Sequence, residues 1–288
     1  MYRSRLRLAL GVVLVLVTTA CGSSTNGNTS SSTIQGMIKT ITPGVLTIAT
    51  YGSALPLMKV GPGANEIGGL SGGWANAFAQ DFGLQVKLFQ TTFSSTLLAV
   101  QQGKADLGEP VYYNPTRAKT YYYTYPVDLE SLVVFTKKSF SYSGPSSLQG
   151  HKVATVTGYV WTPYFQKFFG SNLQLYTTQA DAATAFKNGQ AEAYLDADLN
   201  YFNAPLSLST DISLHPVASG DFGIPADIIA NESYWIVNCN EKALANAMNL
   251  ERDNLEASGK WKTILAQDGA PAGTPQSSPP LMTPAEGC

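Results

Sequence analysis

Short apolar runs and stretches with helical spacing take turns along most of this chain. Leu46 to Thr50 (LTIAT) is apolar and β-prone, bounded by Pro43-Gly44 and Gly52, and predicts a strand. Trp74 to Phe82 has helical spacing at Trp74, Ala77 and Phe78, and Gly83 closes it. Gln85 to Phe89 predicts a second strand. A helix follows, with Ser94 or Ser95 as N-cap and Leu97, Leu98 and Val100 on its buried side, ending at Gly103. Ala105 to Gly108 predicts a third strand. This β-α-β-α-β order is the unit of a parallel sheet with helices on its faces.

A Pro- and aromatic-rich loop then leads to an extended apolar run, Leu132 to Phe135, and a polar break over Lys137 to Gly150. The pattern then repeats: strand Lys152 to Thr157, a helix with Thr162 as N-cap and Pro163 in its first turn, and strand Gln174 to Tyr176. Helix Gln179 to Asn188 with Thr178 as cap and strand Ala191 to Leu195 complete the second set. A last strand, Tyr234 to Asn238, enters a long helix capped by Asn240, with Leu244, Ala247, Met248 and Leu255 on its packed side, and a short helix over Lys260 to Gln267. Two α/β lobes in one chain create a cleft.

The loop after the third strand carries Arg117, which has no other arginine between Arg7 and Arg252. A guanidinium in such a turn can grip a carboxylate through two parallel hydrogen bonds. A surface arginine in a weak ion pair is the alternative. The position decides for the first, because open α/β sheets bind ligands at the carboxyl ends of their parallel strands.

Composition narrows the chemistry. The 288 residues are 44% hydrophobic and 13% charged with net charge -2, a globular chain long enough for two cores and without an electrostatic case for nucleic acid. Two histidines and three cysteines show no metal-ligand spacing, so no metal and no cofactor are expected. The Gly-rich stretch Gly61 to Gly73 lacks the glycine pattern of a phosphate cradle.

Residues 1–21 read as an export signal, with Arg3, Arg5 and Arg7 before the apolar core Leu8 to Val17. Thr18-Thr19-Ala20-Cys21 resembles a bacterial lipobox, with Thr18 where Leu or Val is usual; acylation of Cys21 is expected, an ordinary cleaved signal being the alternative. Residues 22–43 are a Ser/Thr/Gly-rich tether. In an exported chain, Cys239 and Cys288 are expected to pair and tie back the Pro/Ser-rich tail 269–288. A buried Cys239 with Cys288 unpaired is the other arrangement.

Several segments, taken in order, resemble the solute-binding proteins of polar-amino-acid ABC importers, the extracellular family 3. Leu97 to Asp106 (LLAVQQGKAD) is similar to its L-x-A-L-x-x-G-K-x-D segment, and Asn114 to Lys119 (NPTRAK) to its T-P-E-R-A-K signature. Leu148 to Val153 (LQGHKV) resembles L-K-G-K-K-V, Gly158 stands where the family has G-T, and Ser258 to Trp261 resembles the closing D-G-T-Y/W. The resemblance implies a two-lobed periplasmic-binding-protein-like (type II) α/β fold, each lobe a mostly parallel sheet flanked by helices. The first lobe would comprise 44–135 and 234–268 and the second 136–233, with hinge strands near Phe135 and Tyr234.

It further implies a non-enzymatic binding protein that closes on an amino acid and delivers it to an ABC permease, acting as a monomer on the outer face of the cell membrane or in the periplasm. Arg117 would hold the α-carboxylate, and Asp196 or Asp198 the α-ammonium. Tyr51, Phe93, Tyr112 and Tyr159 fall on ligand-facing positions, and Glu109 adds a carboxylate where the family is usually small. Tyr51 stands at the family's acidic position after the first strand and Ala54 at its aromatic one. With Trp161, the aromatics could stack on a ligand or fill the space that Ala54 leaves. A lyase or lytic transglycosylase-like enzyme on the same scaffold, or a ligand-sensing lipoprotein acting through a partner receptor, are the alternative functions.

Overall fold

The apolar runs become two sheets joined through a shared pair of strands. The computed structural model describes residues 38–202, 205–207 and 209–267. In the first lobe, β1 (Val45–Thr50) lies between β4 (Gln85–Gln90) and β5 (Leu107–Tyr112), parallel to both. A small hairpin, β2 (Lys59–Val60) with β3 (Ile67–Gly68), and helix α1 (Gly69–Asp81) fill the first crossover, and α2 (Phe93–Gln101) the second. In the second lobe, β7 (Val153–Val156) lies parallel between β8 (Leu173–Tyr176) and β9 (Ala193–Ala197), with crossovers α3 (Thr162–Phe169) and α4 (Gln179–Lys187).

Two antiparallel strands join the lobes: β6 (Tyr121–Lys137) and β11 (Ala230–Asn238). Along β6, Tyr121 to Ser131 pair with β11, and Leu132 to Thr136 pair with β9. The exchange of partners falls at Ser131 and Leu132, ahead of the 135/136 boundary expected from sequence, and Phe135 sits inside the second sheet opposite Tyr194. The reason is that Leu132 to Phe135 are buried on both faces, as in a central strand. An unexpected strand, β10 (Ile212–Pro216), covers the other edge of β6. Helices α5 (Lys242–Ala257) and α6 (Lys260–Gln267) return to the first lobe, where Trp74, Phe78, Trp235, Met248 and Trp261 form one core.

Several boundaries shift for local reasons. The third strand runs to Tyr112 instead of ending at Gly108, so Glu109 lies on a strand and not in a loop. Between the pairs Gly108–Ile236 and Val111–Tyr234, β5 has two residues, Glu109 and Pro110, where β11 has only Trp235. This bulge accommodates a proline that has no N–H for the ladder. The cap of α2 is Thr92, whose Oγ1 accepts from Ser95 N at 3.3 Å, rather than Ser94 or Ser95. Thr162 is the first residue of α3, its hydroxyl donating to Val156 O at 3.0 Å, and the cap position is Trp161. Glu241, not Asn240, precedes α5, while Thr178 caps α4 as expected.

The end of the expected tether is docked: Ile41 N donates to Asp106 Oδ1 at 2.7 Å, and Ile38 packs on the first-lobe core. The expected signal segment with Cys21, and the tail with Cys288, lie outside the described residues. No helix among the described residues is long and apolar enough to cross a membrane.

Candidate ligand site between the lobes

The carboxyl ends of β1, β5, β7 and β9 all open on the same cleft, and it contains a cavity with about 530 Å³ of unfilled space, mouth included. From the first lobe Tyr51, Phe93, Glu109, Tyr112 and Arg117 line it, and from the second Tyr159, Trp161 and Asp196. Of the residues singled out from sequence, all but Asp198 therefore meet here.

Asp198 does not line the cavity. Its Oδ1 accepts from Ser131 N at 3.2 Å and Leu199 N at 2.8 Å, where β6 changes partners. Strand β9 begins two residues later than predicted, which puts Asp196 on the strand opposite Val133 and turns it into the cleft. The Asp196 carboxylate is 1% exposed; it accepts from the Tyr194 hydroxyl and, at 2.7 Å, from Ala197 N. Burial pushes its pKa up to about 7, against the pull of those hydrogen bonds.

Arg117 spans the cleft. Its Nη2 donates to Gly158 O of the second lobe at 2.8 Å, its Nη1 to Tyr112 O at 3.4 Å, and its guanidinium lies 5.4 Å from the centre of the Phe93 ring. Asn114 Oδ1 fixes the turn by accepting from Thr116 N and Arg117 N. Burial lowers the Arg117 pKa, but a guanidinium keeps its proton in proteins. Ser94 Oγ donates to Thr157 O at 3.4 Å beside it, so the lobes are closed on one another. Gly158 permits this approach: its φ is +89°, and a Cβ there would lie 2.6 Å from Ser94 Oγ.

The aromatic residues pack on each other around the cavity. Tyr51 meets Phe93 at 5.3 Å, Phe93 meets Tyr159 at 4.8 Å, Tyr159 meets Trp161 at 5.9 Å and Trp161 meets Tyr112 at 5.1 Å, all edge to face. Two of these contacts cross between lobes. The polar tips are also held: Tyr112 hydroxyl donates to Glu130 Oε2 at 2.7 Å, Gln179 Nε2 to Tyr159 hydroxyl at 2.7 Å and Trp161 Nε1 to Ile228 O at 2.6 Å.

Glu109 is 1% exposed. Its Oε2 accepts from the Thr50 hydroxyl and, at 2.9 Å, from Tyr51 N. Burial raises its pKa to about 8, with the hydrogen bonds of Thr50 and Tyr51 working the other way. Glu130, which the sequence reading passed over, also lines the cavity, and its pKa is raised by burial and by neighbouring Asp128. A signal for it existed: Asp128 and Glu130 are two apart on a strand, so both carboxylates share a face within an otherwise apolar run. Among the described residues no group of three or more His, Cys, Asp or Glu could hold a metal ion.

Two α/β lobes closing on a cavity at their strand ends is the geometry of a solute clamp, and the model of the bacterial extracellular solute-binding proteins, family 3, matches residues 46–267. The chain belongs to that family. The solute-binding protein also shares its fold with solved structures. One is the substrate-binding protein of an amino acid ABC transporter, at TM-score 0.68 and 21% identity over 78% of this chain and 99% of that one. Another is AbpA of Streptococcus pneumoniae, solved with L-arginine, at TM-score 0.64 and 21% identity over 81% and 95%. A histidine kinase sensor domain similar to periplasmic binding proteins reaches TM-score 0.65 at 19% identity over 78% and 95%. No curated protein sequence matches this solute-binding protein.

Proposed function

We propose that this solute-binding protein captures an amino acid between its lobes and delivers it to an ABC permease. The observation that carries this reading is that Arg117 from the first lobe and Asp196 from the second line one cavity. A guanidinium and a carboxylate on opposite walls suit the α-carboxylate and α-ammonium of one small zwitterion. Binding and closure are then a single equilibrium, because the ligand bridges groups that open lobes hold apart. The similarity to amino-acid receptors of ABC transporters supports the same reading.

Delivery to a permease accords with the family, and lipid attachment at Cys21 would keep the monomer near it. The same reading pairs Cys239 with Cys288, as expected of two cysteines left over in an exported protein. The test is a thermal-shift screen of the protein against the common amino acids. One or more should raise the melting temperature, and Arg117→Ala should abolish the shift. A shift that survives Arg117→Ala contradicts the role of Arg117, and silence across the panel contradicts the amino-acid reading.

A further inference from the structure

The cavity is richer in acid than a plain amino-acid site requires. Glu109, Glu130 and Asp196 line it, with Arg117 as the one cationic side chain among its lining residues. Tyr112 donates to Glu130, and Tyr194 and Ala197 N donate to Asp196. Glu109 differs. Five buried side-chain polar atoms among the described residues lack a hydrogen-bond partner: Thr96 Oγ1, Glu109 Oε1, Tyr123 Oη, Asp128 Oδ2 and Trp235 Nε1. Only Glu109 among these belongs to a residue that lines the cavity.

The other oxygen of Glu109 is fixed by Thr50 and Tyr51, so the carboxyl group cannot turn away without breaking both bonds. The β5 bulge at Glu109 and Pro110 is the backbone feature that presents it. Ala54, Leu57 and Met58 supply an apolar wall in the same cavity, and Ser71 beside them has its hydroxyl occupied by Leu57 O at 2.7 Å. An apolar wall and an unsatisfied, oriented carboxyl oxygen match an aliphatic chain that ends in a charged nitrogen. A buried polar atom without a partner is costly, and a ligand donor recovers that cost.

Building on the amino-acid reading, we infer that Glu109 Oε1 is the subsite for a cationic side chain, so that the ligand is an α-amino acid with an ammonium or guanidinium group. Arg117 and Asp196 hold the α-carbon end, and Glu109 holds the far end. The backbone N–H of Tyr51 orients the carboxylate that β5 provides.

Isothermal titration calorimetry with L-lysine, L-arginine, L-norleucine and cadaverine tests this on the unaltered protein and on Glu109→Gln. Lysine or arginine should bind roughly 100-fold tighter than norleucine, as for a charge-assisted buried pair, and Glu109→Gln should erase the difference. Norleucine binding as tightly as lysine overturns the inference while leaving the amino-acid reading intact, and so does a preference that persists in Glu109→Gln. The ligand comparison on the unaltered protein stands even if the variant fails to fold. Cadaverine binding that depends on Glu109, with every amino acid silent, supports the cation subsite and contradicts the amino-acid reading. Silence from all four overturns both.

Discussion

Replacing Glu109 with glutamine removes one ionisable group and keeps an acceptor oxygen for Thr50 and Tyr51. The Glu109 carboxyl has a pKa of about 8 in the folded protein against an ordinary value of 4.5. Because its folded value is raised, the folded state holds a proton that the unfolded state has released between those limits. Folding stability from this group is therefore full below the ordinary value and is lost as pH rises towards and through 8. Each unit is worth about 1.4 kcal/mol, so between pH 6 and pH 9 the native protein should lose about 2–3 kcal/mol through Glu109 alone. The side chains that share its cavity, Tyr51, Tyr112, Tyr159, Glu130, Asp196 and Arg117, remain in both proteins, so their titration largely cancels in the difference. Urea denaturation of ligand-free protein at pH 6, 7, 8 and 9 reads this directly. Glu109→Gln should gain on the native protein by that amount as pH rises. Parallel stability profiles would refute the reasoning, because they would mean the carboxyl is hydrated and ionised throughout.

Other perturbations separate binding from folding. Asp196→Asn should weaken amino-acid binding by roughly 100-fold in calorimetry, since it removes a charge facing the ligand; Asp198→Asn, at the strand exchange and away from the cavity, should change it by less than about 3-fold. Equal effects would contradict the assignment of the two acids. Gly158→Ala forces a side chain onto φ +89° and should cost about 1–3 kcal/mol of stability by urea denaturation. Adding Ser94→Gly removes the clash but not the strain, so it should restore little of that stability. Arg252 lies 3.4 Å from the Trp261 ring centre, pairs with Glu256 at 2.9 Å and donates to Pro126 O at 3.0 Å. Arg252→Ala should therefore cost about 3 kcal/mol of stability with ligand affinity unchanged in the folded fraction.

Fold class was legible because the apolar runs and helical stretches repeat as two β-α-β-α-β sets, and each set closes its own parallel sheet. Arg117, Tyr112 and Glu109 were legible as a group because a strand delivers them to the cleft within one short stretch. What was not legible depended on tertiary partners. The tyrosine run from Tyr121 carries no clean alternation, and it is a strand because β11 pairs with it along its length. Ile212 to Pro216 is short and ends in proline, and only the free edge of β6 makes it β10. Glu130 was missed with the run that contains it. The choice between Asp196 and Asp198 was set by the register of β9 against β6, which a single sequence does not specify. Likewise the aromatic residues read from sequence as either ligand platforms or filler, and they are packed edge to face while also lining the cavity.

The most direct test of the central claim, an amino acid held across the two lobes, is a crystal structure of the protein with L-lysine or whichever amino acid gives the largest thermal shift. Electron density is expected in the cleft, with the α-carboxylate within hydrogen-bond distance of Arg117 and the α-ammonium within hydrogen-bond distance of Asp196. A ligand bound with its carboxylate away from Arg117, or outside the cavity altogether, would contradict it.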